Sequence, residues 1–273
     1  MALWLAALGV AFSPTIHAAE APAPLLRAAA AETRSGEEAY LLGRADEAVP
    51  ALREAVRLYL AAGDLPGGSR ALVNLSLAER AAGDVAAARA SAARLRELTP
   101  AAQQQLAERA AAGDAGAELA VASGWLEALL ALEQGDAAAA ARLAPTPGKL
   151  PAGSIWRARV ATLQAEISLA TGKAAEALAH AGAAQKASLA AADRAEEARA
   201  WRLAGAAHLK LRQWSEARTD YLAAVKIEET LGGGARMAGD LSQLAAIAEH
   251  LGDAGAAQLY TRRAAAITAA RTR

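Results

Sequence analysis

Residues 80–90 read RAAGDVAAARA, a Gly-Asp pair set in alanine. The same dipeptide returns at Gly63, Gly83, Gly113, Gly135, Gly239 and Gly252. Recurrence at near-regular spacing is the mark of a repeat architecture and has to be tested before any other reading. With Gly83 taken as a joint, a step of 40 residues backwards reaches Gly43, and Gly172, Arg212 and Gly252 form a second series at the same step, with Gly135 between the two. Five residues after each of these six joints stands an alanine: Ala48, Ala88, Ala140, Ala177, Ala217 and Ala257. Seven residues before each stands a small residue: Gly36, Ser76, Ala128, Ala165, Gly205 and Ala245.

Helix packing explains both columns. A small side chain on each of two antiparallel helices lets the axes approach to the short end of the roughly 8–10 Å range. Glycine at the joint ends the first helix in a left-handed conformation, and the aspartate after it caps the second. Further turns are expected half a period later, at Gly63, Thr99-Pro100, Ala192-Asp193 and Gly232-Gly233-Gly234. The chain therefore reads as a succession of helices of about twenty residues, with no alternating strand pattern.

Composition agrees. Of 273 residues, 85 are alanine, against one Phe and four Tyr, and alanine is the best helix former while β-branched and aromatic residues favour strands. The 29 basic and 29 acidic residues balance, so no basic footprint argues for nucleic acid or an anionic membrane surface. The apolar run MALWLAALGVAF is too short to span a membrane, which takes roughly 20 residues. Followed by Ser13, Pro14 and His17-Ala18-Ala19, it reads as a cleavable leader over 1–19, although no Lys or Arg precedes it. An exported chain is the expectation, periplasmic or secreted and without a transmembrane span once mature; the alternative is a cytoplasmic protein. The sequence holds no cysteine, so packing alone must hold the fold.

At this point the residues carry a resemblance. In WRLAGAAHLKLRQWSEARTDYLAA (201–224), Trp201, Ala204-Gly205, His208, Ala217, Tyr221 and Ala224 match the spacing of the tetratricopeptide repeat. The second-helix segments LGDAGAAQLYTRRA and TGKAAEALAHA are similar to those of the same family, in its long-helix variety of about 40 residues. The resemblance implies an all-α fold, a right-handed solenoid of five to six stacked helix hairpins. It divides the chain into N-terminal repeats at 20–97, an irregular helical segment with a Pro/Gly loop at 98–157, in which an added helix is expected, and C-terminal repeats at 158–273. It further implies a concave side lined by the first helix of each pair, which binds a peptide or protein and performs no chemistry.

Several residues bear on that function. His180, His208 and His250 are scattered without the i, i+4 spacing of a helical metal site, so no metal or other cofactor is expected, and His208 reads as a core ring. Glu196-Glu197 and Glu228-Glu229 read as solvated helix faces. An α-superhelical hydrolase would use a buried acid, for which Glu166 is the candidate. Trp201 and Trp214 read as packing, and Trp156, after the Pro/Gly loop, as a helix-start anchor. Thirteen residues before their joints stand Arg70, Arg159 and Arg199, with Arg202 and the chain's only asparagine, Asn74, on the same helices. The resemblance places these near the groove, where a planar guanidinium can take a partner's acidic side chain or C-terminal carboxylate through two parallel hydrogen bonds. The bland reading of the same row is arginines paired with neighbouring acids. Two function classes follow: an exported scaffold in a bacterial envelope or secretion assembly, or a cytosolic regulator that binds a small peptide.

Overall fold

The computed structural model describes residues 23–108, 114–148, 150–232 and 234–271. The leader expected over 1–19 lies outside the described residues. Among the described residues there are twelve helices and no strand: α1 (Ala23–Leu41), α2 (Ala45–Ala61), α3 (Leu65–Ala81), α4 (Val85–Glu108), α5 (Ala115–Glu133), α6 (Ala137–Leu143), α7 (Ile155–Ala170), α8 (Ala174–Ala190), α9 (Arg194–Lys210), α10 (Trp214–Thr230), α11 (Ala235–His250) and α12 (Ala254–Arg271).

They pair in chain order into six antiparallel hairpins, and each hairpin stacks on the next. The six joints are those read from the sequence. Gly43, Gly83, Gly135, Gly172, Arg212 and Gly252 all have positive φ, between 60° and 83°. At Gly83 the amide of Asp84 donates to the Glu79 carbonyl and that of Gly83 to Arg80, which satisfies the carbonyls left bare at the helix end. Arg212 adopts the same turn without being glycine, at a cost of about 1 kcal/mol. Asp84, Asp136 and Asp253 then cap the following helices, accepting from Ala87, Ala139 and Ala256 at 2.9, 2.7 and 3.0 Å.

Both small-residue columns are buried throughout. At Gly36 a Cβ atom would meet Leu52 Cγ at 2.5 Å, and at Gly205 it would meet the Tyr221 ring at 2.7 Å, so glycine lets those hairpins close without displacing the facing side chain. Ser76 takes the same place in α3 and donates to the Ala88 carbonyl of α4 at 2.8 Å.

The odd-numbered helices also touch one another, α1 with α3, α3 with α5, α5 with α7 and α7 with α9, while the even-numbered helices pack chiefly against their chain neighbours. Closer approach on one side curves a stack, so the first helices form the inner, concave layer. The core is not uniform along the stack. One large cluster of leucines, alanines and Trp125 runs from α1 to α7, and a second joins α10 to α12 through Tyr221, Leu241 and Leu244. Between them the α7–α8–α9 layer is closed mainly by Ala161, Ala165, Ala181, Ala184, Ala200 and Ala204, with Leu203.

Three expectations need correction. The turn at Thr99-Pro100 is absent: α4 runs through it, and the segment from residue 98 is the tail of α4 rather than an added helix. The buried face Ala88, Ala92, Leu95, Thr99, Ala102, Leu106 continues past the proline at helical spacing, with Pro100 itself on the exposed side. The tail is useful: Gln105 donates to the Gly63 carbonyl and accepts from the Leu65 amide, clamping the α2–α3 joint. The irregular middle is a sixth hairpin, α5–α6, whose second helix stops after 7 residues because Pro145 and Pro147 follow. The Gly239-Asp240 pair, outside the series of joints, lies inside α11, and its aspartate has another use. Although α5 is long and apolar enough to cross a membrane by length and composition, Leu119, Trp125, Leu126 and Leu129 place it in the core of the stack.

Candidate functional site

The inner layer carries one continuous groove, with a cavity of about 320 Å3 lined by residues from all six first helices. Tyr40 comes from α1, Leu77 and Arg80 from α3, Trp125 and Leu129 from α5, Arg159 and Glu166 from α7, Glu196, Arg199, Arg202 and Leu203 from α9, and Arg236 from α11. Counted back from each joint, these residues recur near positions three, six, ten, thirteen and sixteen, a stripe along one helix face. The groove crosses the layer obliquely, from the C-terminal ends of α1 and α3 to the N-terminal ends of α9 and α11.

That obliquity decides the fate of the arginine column. Arg159 and Arg199 line the groove, as position thirteen requires, but Arg70 does not: the groove meets α3 at its other end, and Arg70 is exposed outside it. Asn74, one turn further on, lines a chamber of about 220 Å3 that adjoins the groove and shares Tyr40, Leu77 and Arg159 with it. The two halves of the chain therefore meet at Arg159, across the middle that looked irregular in the sequence.

Arg199 and Arg202 are engaged from within. Arg199 binds both oxygens of Glu166 at 2.9 Å, across the α7–α9 contact, and Glu196 at 3.3 Å. Burial lowers its pKa, but Glu166 and Glu196 more than offset that, and the net shift is upward. Arg202 holds both oxygens of Asp240 at 2.5 and 2.7 Å and Glu228 at 3.0 Å. Its pKa is likewise lowered by burial and carried above the usual value by the two acids. Asp240 and Glu228 are 2% and 1% exposed, and Arg236 approaches Glu228 at 3.3 Å from outside. Burial pushes the Asp240 carboxyl up, further than Arg202 brings it down.

The acidic pairs are therefore not simply solvated. Neighbouring helical residues point about 100° apart, so Glu228 and Glu197 turn inward and are buried while Glu229 stays in solvent. Glu166, the one acid considered for catalysis, has both oxygens on Arg199.

Arg159 differs from the other groove arginines. Arg80, Arg199, Arg202 and Arg236 each have a carboxylate partner; among the described residues no carboxylate comes within 4.0 Å of the Arg159 guanidinium. Instead it lies 4.9 Å from the centroid of Trp156 and 5.9 Å from that of Trp125. The two indoles meet edge to face at 5.7 Å, and Trp125 Nε1 donates to the Arg159 carbonyl at 2.9 Å. The ring faces attract the cation without consuming its hydrogen bonds. Trp156 stands in the first turn of α7 as an anchor and is also part of this corner.

The remaining rings are structural. His208, half-buried rather than a sealed core ring, pairs through Nδ1 with Asp220 at 2.6 Å, and Trp214 stacks on His250 with centroids 4.0 Å apart. Among the described residues no three His, Asp or Glu side chains are grouped as a metal ion would require. The Arg159 corner was reachable from the sequence only in part, because nothing in the spacing of Trp125 and Trp156 announces that they converge.

Comparison with known proteins places the architecture. No protein-family model matches the chain, and no curated protein matches it. Among solved structures it is similar to BtubC (BKLC) from P. vanneervenii, with a TM-score of 0.61 and 19% identity over 91% of this chain and 92% of that one. It is also similar to the apo form of RapI, with a TM-score of 0.47 and 12% identity over 88% and 76% of the two chains. At such identities the likeness to BtubC is one of fold alone, and with the twelve helices packed in sequence it makes this chain a helical solenoid.

Proposed function

We propose that the chain is a non-catalytic scaffold whose groove holds a segment of a protein or peptide partner, with an acidic side chain or the C-terminal carboxylate of that partner on Arg159. One observation carries the reading: first helices from all six hairpins converge on a single groove, and at its middle stands a guanidinium that has no carboxylate partner among the described residues. Concave solenoid faces are extended surfaces suited to such segments. Arg159 is half-exposed, held by indole faces, and free to donate two parallel hydrogen bonds. Arg199 and Arg202, each already held by two internal acids, act as walls that keep the groove in shape. We further propose that the protein is exported and works in an envelope or secretion assembly, on the strength of the leader at 1–19.

The test is a pull-down from envelope extract with the wild type and with Arg159→Gln, compared by mass spectrometry at low and high salt. A partner captured by the wild type, lost with the variant and weakened by salt is expected, since exposed charges are screened within about 8 Å at physiological ionic strength. An identical set of captured proteins would remove Arg159 from the recognition. N-terminal sequencing checks export: a start near Ala19 or Glu20 is expected, and an intact Met1 would overturn it.

A further inference from the structure

The chamber beside the groove has a character of its own. It is lined by Glu37 and Tyr40 of α1, Leu52 of α2, Asn74 and Leu77 of α3, and Arg159 of α7. At about 220 Å3 it falls below the roughly 300–1,000 Å3 of pockets for drug-sized ligands. Leu52, fully buried, lies beneath it, and Leu77 and the Tyr40 ring give it apolar walls.

It carries one acid and one base, Glu37 and Arg159. Glu37 belongs to the first inner helix and Arg159 to the fourth, with α3 and α5 between them in the stack. They do not pair with each other: the exposed Glu37 carboxylate takes a hydrogen bond from Asn74 Nδ2 at 2.7 Å, and Arg159 rests on the two indoles. Asn74 leaves the second carboxylate oxygen of Glu37 without a partner among the described residues. An acid and a base held apart by separate supports, over an apolar floor, are complementary to a molecule that carries an amine and a carboxylate a few ångströms apart beside an apolar group.

We propose that this chamber binds a free α-amino acid with an aliphatic side chain. The ammonium group donates to Glu37, the carboxylate accepts from Arg159, and the side chain covers Leu77, Tyr40 and Leu52. This goes beyond partner binding in the groove, since it needs Glu37, Asn74 and no macromolecule.

Isothermal titration of the full chain with L-leucine, L-leucinamide and N-acetyl-L-leucine tests it without altering the protein. L-leucine is expected to bind, and each derivative, having lost one of the two charged contacts, to bind about tenfold or more weakly. Glu37→Gln, which keeps a side chain able to meet Asn74, is expected to lower affinity for L-leucine while leaving that for N-acetyl-L-leucine unchanged, and Arg159→Gln to weaken both. No heat with L-leucine at millimolar concentration overturns the proposal. So does equal binding of L-leucine and N-acetyl-L-leucine, an outcome that would strike out Glu37 yet leave Arg159 as a carboxylate receptor for the groove.

Discussion

Replacing Gly205 by alanine should destabilise the protein, although alanine is the better helix former. Gly205 lies inside α9, where its backbone faces the Tyr221 ring of α10. A Cβ there would stand 2.7 Å from Cδ2 and 2.8 Å from Cε2, against an ordinary carbon–carbon contact of about 3.5–4.0 Å, so the ring must retreat by about 1 Å. It has little room, being 4% exposed and packed in one cluster with Val225, Leu241 and Leu244. Overpacking of this kind costs about 1–3 kcal/mol, and relief of glycine's backbone entropy returns about 0.5–1 kcal/mol. The net loss reaches about 2.5 kcal/mol at most and centres near 1 kcal/mol. Gly182, inside α8, supplies the control: an added Cβ meets nothing within 4 Å, so Gly182→Ala should stabilise by about 0.5–1 kcal/mol. For a chain of this size each kcal/mol moves Tm by about 2–4 °C, and circular dichroism melts of both variants beside the wild type read the two signs directly. Because stability in a solenoid is close to a sum of local terms, hydrogen exchange of α9 and α10 should locate the loss in that hairpin. Equal upward shifts of Tm for both variants would refute the claim that this column is set by steric contact.

The remaining predictions concern charge. Arg202→Met leaves Asp240 and Glu228 buried and without their shared cation, and should cost about 3–5 kcal/mol in urea unfolding; adding Asp240→Asn should recover part of that, and a fully additive double variant would show that the three groups do not act as a unit. The Asp240 and Asp220 carboxyls are pushed up by burial in the folded chain, so their contribution to stability is present below the pKa of the unfolded carboxyl and is lost as pH rises through the folded pKa. Wild type should therefore gain stability relative to Asp240→Asn as pH falls from neutral into the acid range, and a gap that narrows instead would contradict the upward shift. Burial also takes the Tyr221 phenol up to about 12; spectrophotometric titration should show one of the four tyrosines ionising late and losing that distinction in Tyr221→Phe.

The joints and contact columns could be read from the sequence because they answer to local steric rules. A left-handed turn wants glycine and a close helix contact wants a small side chain, so both leave a mark at a fixed position in each repeat. Where the rule is broken, as at Arg212 and at Ala192 with φ 53°, the period alone finds the joint. Pro100 misled because an interior proline ordinarily breaks a helix, yet here the buried face runs on from Leu95 and Thr99 to Ala102 and Leu106 while the proline itself is exposed. The groove was harder. Arg159 and Arg199 share a register position, but whether each finds an acid depends on the neighbouring repeat: Glu166 reaches Arg199 across 33 residues of chain, whereas among the described residues no carboxylate reaches Arg159. The oblique course of the groove, which excludes Arg70 and draws in Tyr40 and Arg236, follows from how six hairpins are offset in the stack. No single repeat contains that information.

The alanine layer at α7–α8–α9 leaves little room for change. Ala161, Ala165, Ala181, Ala184, Ala200 and Ala204 close it with methyl groups, which let neighbouring helices lie near one another but have no rotamer by which a larger neighbour could be accommodated. A side chain enlarged in that layer therefore shifts a whole helix rather than a side chain. On the inner edge the Arg199–Glu166 pair spans the same two helices, α7 and α9, so such a shift would be felt in the groove wall next to Arg159.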